Sequence, residues 1–367
     1  MAVTDKKDKE VIQKLESVGA ALLKQIDKKE DPQIELPVRS LNNIYFDKKS
    51  KTIKLGDKTS MRNFLNVAHT RKFMQSVLVA AEIKKVIEEE ATVSIRDLYY
   101  ALKHTIDGTT ENTFEEQGES DPIIEDIEAS TNLLREELHL AASSKGVVTG
   151  DLKIRDGKDT IDLTKMGSGG WGVPSNVEPE RIEFKDVNAE YVLFIEKDAV
   201  WKRFNEDQFW RKNKCIIVTG RGQPSRAERR LVQRLNHEYE LPVYALMDAD
   251  PWGMYIYSVI KQGSISLSYS EEKLACPDTK YIGLSTQDVE TYKIPKEVTI
   301  KLNSLDVKRL NEMASYEWFK KKEWQDEFAN MKQKAVKLEL EALSKKGIRF
   351  ITEEYLPDKI KRKDFLP

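Results

Sequence analysis

The sequence predicts a multidomain protein of α/β and α+β character, with a helical module first and a parallel α/β sheet after it. Two observations carry this. Between Ser60 and Ile154, two helical apolar patterns separated by a short break run into a strand-like stretch. Between Tyr191 and Met247, three apolar runs of strand length alternate with helical patterns. Strands bridged by helices form a parallel sheet with both faces covered.

The elements follow in order. Up to about Asp31, Val11, Leu15, Val18 and Leu22 recur at helical spacing in a highly charged segment. "NNIYFDKKSKTIKLGD" reads as a hairpin: Ile44 and Phe46 alternate, a lysine-rich turn follows, and Ile53 and Leu55 alternate again. From Ser60 to Glu90 the spacing of Phe64, Leu65, Phe73, Met74, Val77, Leu78, Ala81 and Val86 is helical. After the break "ATV", Ser94 and Asp97 have capping-box spacing and open a second helix. Two helices joined by a short turn and followed by "GVVTGDLKI" predict a winged-helix type of DNA-binding module.

"GSGGWG", Gly167 to Gly172, matches G-x-G-x-x-G, but a dinucleotide site needs a helix opening on the last glycine. Here "VPSN" follows, so the stretch is predicted to be a linker. "YVLFI" (191–195), "CIIVT" (215–219) and "VYALM" (243–247) are the strands. Between them lie a helix over Asp198–Lys212 and one opened by the Ser225/Glu228 capping box, with Leu231, Leu235 and Tyr239 on one face. Ser304 to Lys346 reads as helices whose Trp318, Phe319, Trp324 and Phe328 form a core stripe.

Composition bounds the function. Of 367 residues, 40% are hydrophobic and 33% charged, the make-up of a globular protein with room for two or three domains. No apolar run is long enough to span a membrane and the first thirty residues are lysine-rich, so the expected location is the cytoplasm. Cys215 and Cys276 lack metal-type spacing and predict neither a disulfide nor zinc. The net charge is −2, but Lys202 to Arg234 holds ten basic residues against three acidic ones. Local charge of that kind is enough to contact phosphates.

The strand ends carry the chemistry. The first strand runs into Glu196, the third into Asp248, and Asp250 follows in "DADPWG". In a parallel α/β sheet, ligands bind outside the carboxyl ends of the strands. Three carboxylates there, with Lys197 beside them, repel one another unless a cation holds them, and hard oxygens suit Mg²⁺. The plainer alternative is that such residues cap helices, as Asp250 before Pro251 would. The second strand ends in "TGRGQPSRAERR", where Arg221, Arg226, Arg229 and Arg230 offer bidentate phosphate contacts; the alternative is a solvated basic helix.

In "SIRDLYYALKH", Ile95, Leu98, Tyr99 and Leu102 share one apolar helix face. Arg96, Tyr100, Lys103 and His104 share the other, so Tyr99 packs and Tyr100 is presented among cations. A phenol needs help to become a nucleophile, and nearby positive charge stabilises the phenolate. The alternative is an exposed tyrosine in a cation–π contact.

"SIRDLYYALKH", "FIEKDAVW", "TGRGQPSRAERR" and "DADPWG" occur in the order found in the A subunit of archaeal DNA topoisomerase VI, a type IIB enzyme related to the meiotic double-strand-break protein. The resemblance extends to the closing "ITEEYLPDKI". It implies a winged-helix (CAP-like) domain carrying the nucleophilic Tyr100, helped by Arg96, and a Toprim domain holding Mg²⁺ through Glu196, Asp248 and Asp250. Expected boundaries are 1–66 for an N-terminal helix and hairpin contacting a partner, 67–160 for the winged helix, 161–184 for a linker and 185–367 for Toprim. The resemblance further implies double-stranded DNA as substrate, a homodimer as the catalytic unit, and an A₂B₂ assembly whose B subunit binds ATP, located at the nucleoid. Two other classes share some features: a Mg²⁺-dependent D-x-D transferase acting on nucleotide sugars, and a non-enzymatic architectural DNA binder.

Overall fold

The computed structural model describes residues 6–143 and 145–367, which form two units. The first comprises 6–45, 54–143 and 265–270; the second comprises 46–53, 145–264 and 271–367.

In the first unit, α1 (Lys6–Asp27) buries Val11 and Leu15. Strand β1 (Gln33–Pro37) is followed by the two-stranded hairpin β2 (Ile44–Asp47) and β3 (Thr52–Leu55), of which residues 46–53 belong to the second unit, and then by β4 (Thr59–Asn63), which pairs antiparallel with β1. Helix α2 (Val67–Glu88) is capped by Asn66, whose side chain accepts from the Ala68 amide at 3.0 Å. The helix therefore starts seven residues later than the apolar spacing predicts, because Thr59–Asn63 is drawn into the ladder with β1. A two-residue β5 (Val93–Ser94) leads into α3 (Ile95–Leu102), then α4 (Gln117–Thr131), and β6 (Leu140–Ala141) returns to pair with β5. Val11, Leu15, Val79, Ile83, Leu98, Tyr99, Ile123 and Ile127 share one core, so α1 through α4 bury their apolar stripes against each other. Asp126 of α4 receives Arg39 at 2.8 Å and Arg62 of β4 at 2.7 Å, tying the β1–β4 pair to the helices.

The second unit opens with β7 (Val147–Gly150), β8 (Leu152–Asp156), β9 (Asp159–Asp162), β10 (Trp171–Gly172) and β11 (Ile182–Val187). Strands β11, β8 and β9 form an antiparallel three-stranded sheet. Then come β12 (Tyr191–Ile195), α5 (Asp198–Glu206), α6 (Phe209–Lys212), β13 (Cys215–Thr219), α7 (Arg226–Tyr239), β14 (Val243–Leu246), α8 (Pro251–Lys261) and β15 (Lys280–Tyr281). The main sheet runs β10-β7-β13-β12-β14-β15. Its β13-β12-β14-β15 portion is parallel, as expected, and β7 and β10 extend it antiparallel.

Three expectations change here. The strands expected to complete the first module, "GVVTG", are β7 and pair with β13, so they belong to the second unit, which takes over between residues 143 and 145 rather than at 160. The expected linker, 161–184, holds the end of β9, all of β10 and the start of β11. The helix over 198–212 is broken at Gln208, whose φ of 49° ends one turn and starts another. The Gly167–Gly172 loop opens strand β10 and no helix, as its context predicts.

Residues 304–315 and 322–334 are helical, and Phe319, Trp324 and Phe328 are fully buried against the main core. Cys215 and Cys276 are buried free thiols. No helix among the described residues is long and apolar enough to cross a membrane.

Candidate active site

Helix α3 is fixed by its start. The Ser94 hydroxyl accepts from the Asp97 amide at 3.0 Å, and the Asp97 carboxylate accepts from the Ser94 amide at 3.2 Å. With the helix phase set, Leu98, Tyr99 and Leu102 are buried, and Tyr100 is 59% exposed. The Arg96 guanidinium carbon lies 5.9 Å from the Tyr100 ring centroid. The Tyr99 hydroxyl donates to the Glu115 carbonyl at 2.9 Å and accepts from Lys103 Nζ at 2.9 Å. Lys103 is thus hydrogen-bonded to Tyr99 and to the Glu115 carbonyl, at 2.8 Å. Its stem is long enough to reach around the helix. His104, just past the helix, is exposed.

Glu196 leaves the end of β12, and Asp248 and Asp250 follow β14, its parallel neighbour. Glu196 and Asp248 are buried, and Asp250 is half-buried. Burial, and then the Asp248 charge, push the Glu196 carboxyl up to about 8. Burial pushes Asp248 up to about 6, against the pull of Lys197, and it also raises Asp250. Each keeps one fixed donor: the Asp248 amide to Glu196 Oε2 at 3.1 Å, the Leu340 amide to Asp248 Oδ1 at 2.8 Å, and the Gly253 amide to Asp250 Oδ1 at 2.6 Å. Asp250 therefore does cap α8, with Pro251 in its first turn. Gly253 is there for space. A Cβ on it would lie 2.8 Å from the Asp248 carbonyl and 2.9 Å from Glu196 Oε2.

The cation on Asp248 is Lys197, with Nζ 2.9 Å from Oδ2, and the same ammonium contacts Glu339 at 3.1 Å and Glu341 at 2.9 Å. Burial works against this charge, but the carboxylates outweigh it and hold the ammonium above lysine's ordinary value. Glu339 and Glu341 were not among the residues expected here. The signal for them was the alternation in "LELEAL", which turns two acids to one side of an extended segment. Among the described residues, no group of three or more Asp, Glu, His or Cys side chains is placed as it stands to hold a metal ion.

The arginines after β13 divide. Arg229 is buried and paired with Glu271, and Arg230 makes a bidentate pair with Glu178 at 2.7 and 2.8 Å. Both were expected to meet phosphates; both are neutralised inside the unit instead. Arg221 remains half exposed, with its Nε on Asp198 at 3.1 Å, and Arg226 opens α7.

Residues 71–140, which hold Arg96 and Tyr100, match the family described as type IIB DNA topoisomerase. Residues 145–188 match the all-beta domain of the DNA topoisomerase VI alpha subunit, and 191–360 match the Toprim domain shared by Spo11 and the A subunit of topoisomerase 6. The A subunit of type 2 DNA topoisomerase 6 from Pyrococcus abyssi is 46% identical over 367 residues, covering 97% of this chain and 95% of the relative. That of Sulfurisphaera tokodaii is 44% identical over 384 residues, covering 99% of each. The A subunit of DNA topoisomerase 6 from Arabidopsis thaliana is 35% identical over 332 residues, covering 90% of this chain and 75% of the relative. A Toprim domain carries divalent-metal chemistry, and three mutually repelling, oxygen-only side chains at adjacent strand ends fit a hard cation. The chain belongs to the family that unites Spo11 with the A subunit of topoisomerase 6, and it is the DNA-cleaving subunit of a type IIB DNA topoisomerase.

Proposed function

We propose that Tyr100 is the nucleophile with which this chain cleaves DNA, and that Glu196, Asp248 and Asp250 hold the Mg²⁺ ion that assists it. The observation that carries this is the split between two adjacent tyrosines: Tyr99 is buried and hydrogen-bonded, while Tyr100 projects into solvent beside Arg96. Residues 67–140 act as the winged-helix module that presents it.

Tyr100 Oη attacks a backbone phosphorus in line. The Tyr100 hydroxyl gives up its proton to solvent, the new O–P bond leaves a 5′-phosphotyrosyl link, the P–O3′ bond breaks, and the departing 3′ oxygen takes a proton from solvent to become a hydroxyl. The Arg96 guanidinium lowers the cost of the phenolate and of the negative charge on the phosphoryl oxygens. Bound Mg²⁺ supplies Lewis-acid stabilisation of the developing oxyanions. Glu196 would hold the cation as a carboxylate, so metal binding releases the proton that burial keeps there. Because the link remains a phosphodiester, the step reverses and the break reseals.

One tyrosine cuts one strand, so a homodimer makes the double-strand break, with Tyr100 of one protomer meeting the metal site of the other. In the A₂B₂ assembly the B subunit binds ATP. Arg221, Arg226 and His104 contact phosphates. Trapping a covalent adduct on supercoiled DNA by adding detergent, with the B subunit present, tests this reading. Wild type yields protein linked to 5′ ends, and Tyr100→Phe yields none; an adduct on any other residue refutes it.

A further inference from the structure

Lys197 follows Glu196 directly and stands just before the first residue of α5, with no side-chain bond to the helix start. Its ammonium lies between two kinds of carboxylate. On the inner side is Asp248, almost fully buried; on the outer side are Glu339 and Glu341, each nearly half exposed. Both Asp248 oxygens are taken, Oδ1 by the Leu340 amide and Oδ2 by Lys197. The Leu340 bond belongs to a fixed backbone, since the Leu338 amide also donates to the Ala249 carbonyl at 3.0 Å. The Lys197 bond belongs to a flexible four-carbon stem. A cation that ligates Asp248 through Oδ2 displaces Lys197, and the lysine is the group that can yield. It has somewhere to go, because two of its three carboxylate partners lie on the far side.

We propose that Lys197 is an exchangeable counter-ion for the metal site. Its ammonium neutralises Asp248 before a divalent cation arrives and moves wholly onto Glu339 and Glu341 when the cation takes Oδ2. This rests on the reading that Glu196, Asp248 and Asp250 hold the metal. An unpaired buried carboxylate is destabilising, so the lysine keeps the strand ends folded without metal. The outer glutamates keep the barrier to exchange low, because the ammonium is never left without a partner. The same device makes metal binding readily reversible, since a tethered competitor stands within reach of Oδ2.

The test uses the full chain, Mg²⁺ titration by calorimetry, Mn²⁺ binding by electron paramagnetic resonance, and thermal scans with and without Mg²⁺. Lys197→Met lowers the metal-free midpoint, enlarges the rise that Mg²⁺ produces, and tightens metal binding roughly tenfold or more, since one opposing unit charge is gone at contact range. Lys197→Arg, which keeps the charge, stays near wild type. Glu339→Gln with Glu341→Gln weakens metal binding, and the weakening shrinks in the Lys197→Met background because the glutamates act through the lysine. The glutamate pair is exposed enough to fold in any case, so should Lys197→Met unfold, Mg²⁺ binding by Glu339→Gln with Glu341→Gln alone decides, and unchanged binding there overturns the proposal. Unchanged or weaker metal binding in Lys197→Met overturns the proposal, as does a glutamate effect of equal size with and without the lysine. Failure of the underlying metal reading looks different: Asp248→Asn with Asp250→Asn would then bind divalent ions as wild type does.

Discussion

Among single residues, two neighbouring tyrosines receive opposite tasks from the helix that carries them. A residue-by-residue turn of about 100° separates the buried Tyr99 from the exposed Tyr100. Tyr100→Phe is expected to abolish cleavage with no change in thermal midpoint, because an exposed hydroxyl contributes little to the fold. Tyr99→Phe removes the hydroxyl between Lys103 and the Glu115 carbonyl, costs about 1 kcal/mol of stability, and leaves cleavage intact. Cleavage gels and thermal scans on the two variants check both halves. Glu196 adds a pH signature. Its carboxyl is raised from 4.5 to about 8 in the fold, so the folded chain holds the proton more tightly than the unfolded one. That stability is fully present below about pH 4.5 and is lost as pH rises through about 8. The metal-free midpoint should therefore fall across that window more steeply in wild type than in Glu196→Gln. Scans at stepped pH read the difference, and equal slopes would contradict the burial of a carboxyl without a counter-ion there.

Among elements, α8 and α7 show how one helix start serves the site and another serves the core. Gly253 in the first turn of α8 sits against Glu196 and the Asp248 carbonyl, leaving no room for a methyl group. Gly253→Ala should cost about 1–3 kcal/mol by overpacking and weaken Mg²⁺ binding together, a pairing that calorimetry and thermal scans detect. On α7, Arg229→Ala strands the buried Glu271 and should cost about 3–5 kcal/mol. Arg221→Ala, on the exposed loop before α7, should leave the midpoint alone and lower DNA affinity with a shallower salt dependence. If Arg229→Ala instead weakens DNA binding without loss of stability, the assignment of the two arginines is reversed.

For the molecule as a whole, the division of labour between units predicts how protomers complement. Mixed dimers of Tyr100→Phe with Glu196→Ala hold one intact tyrosine and one intact metal site on different chains. If tyrosine and metal meet between protomers, the mixture nicks one strand of a supercoiled plasmid; if they meet within a protomer, it cuts nothing. The N-terminal segment belongs to this scale too. An arm used only to grip a partner could be deleted freely, but Val11 and Leu15 lie in the core with Val79 and Ile83, and residues 46–53 belong to the second unit. Deleting residues 1–57 should unfold the first unit, read as loss of its cooperative thermal transition, before any partner contact can be judged.

The order of amino acids was enough to specify the periodic elements and the chemistry at their ends. Capping boxes at Ser94 and Ser225, three apolar strands, and carboxylates at two strand ends are local patterns, set by hydrogen bonds and burial within a few residues. It also separated Tyr99 from Tyr100, because helical phase is local. What needed the folded chain was partnership across long separations. Thr59–Asn63 became a strand because Gln33–Pro37 lay alongside, and Val147–Gly150 joined the second unit because β13 had a free edge. Arg229 and Arg230 were indistinguishable from Arg221 as charges until Glu271 and Glu178 claimed them. Lys197 met Glu339 and Glu341 only after more than a hundred and forty residues of intervening chain had folded back to the strand ends. Local propensity is written in neighbouring residues; which charge finds which counter-charge is decided by packing, and that is where the site acquired its resident cation.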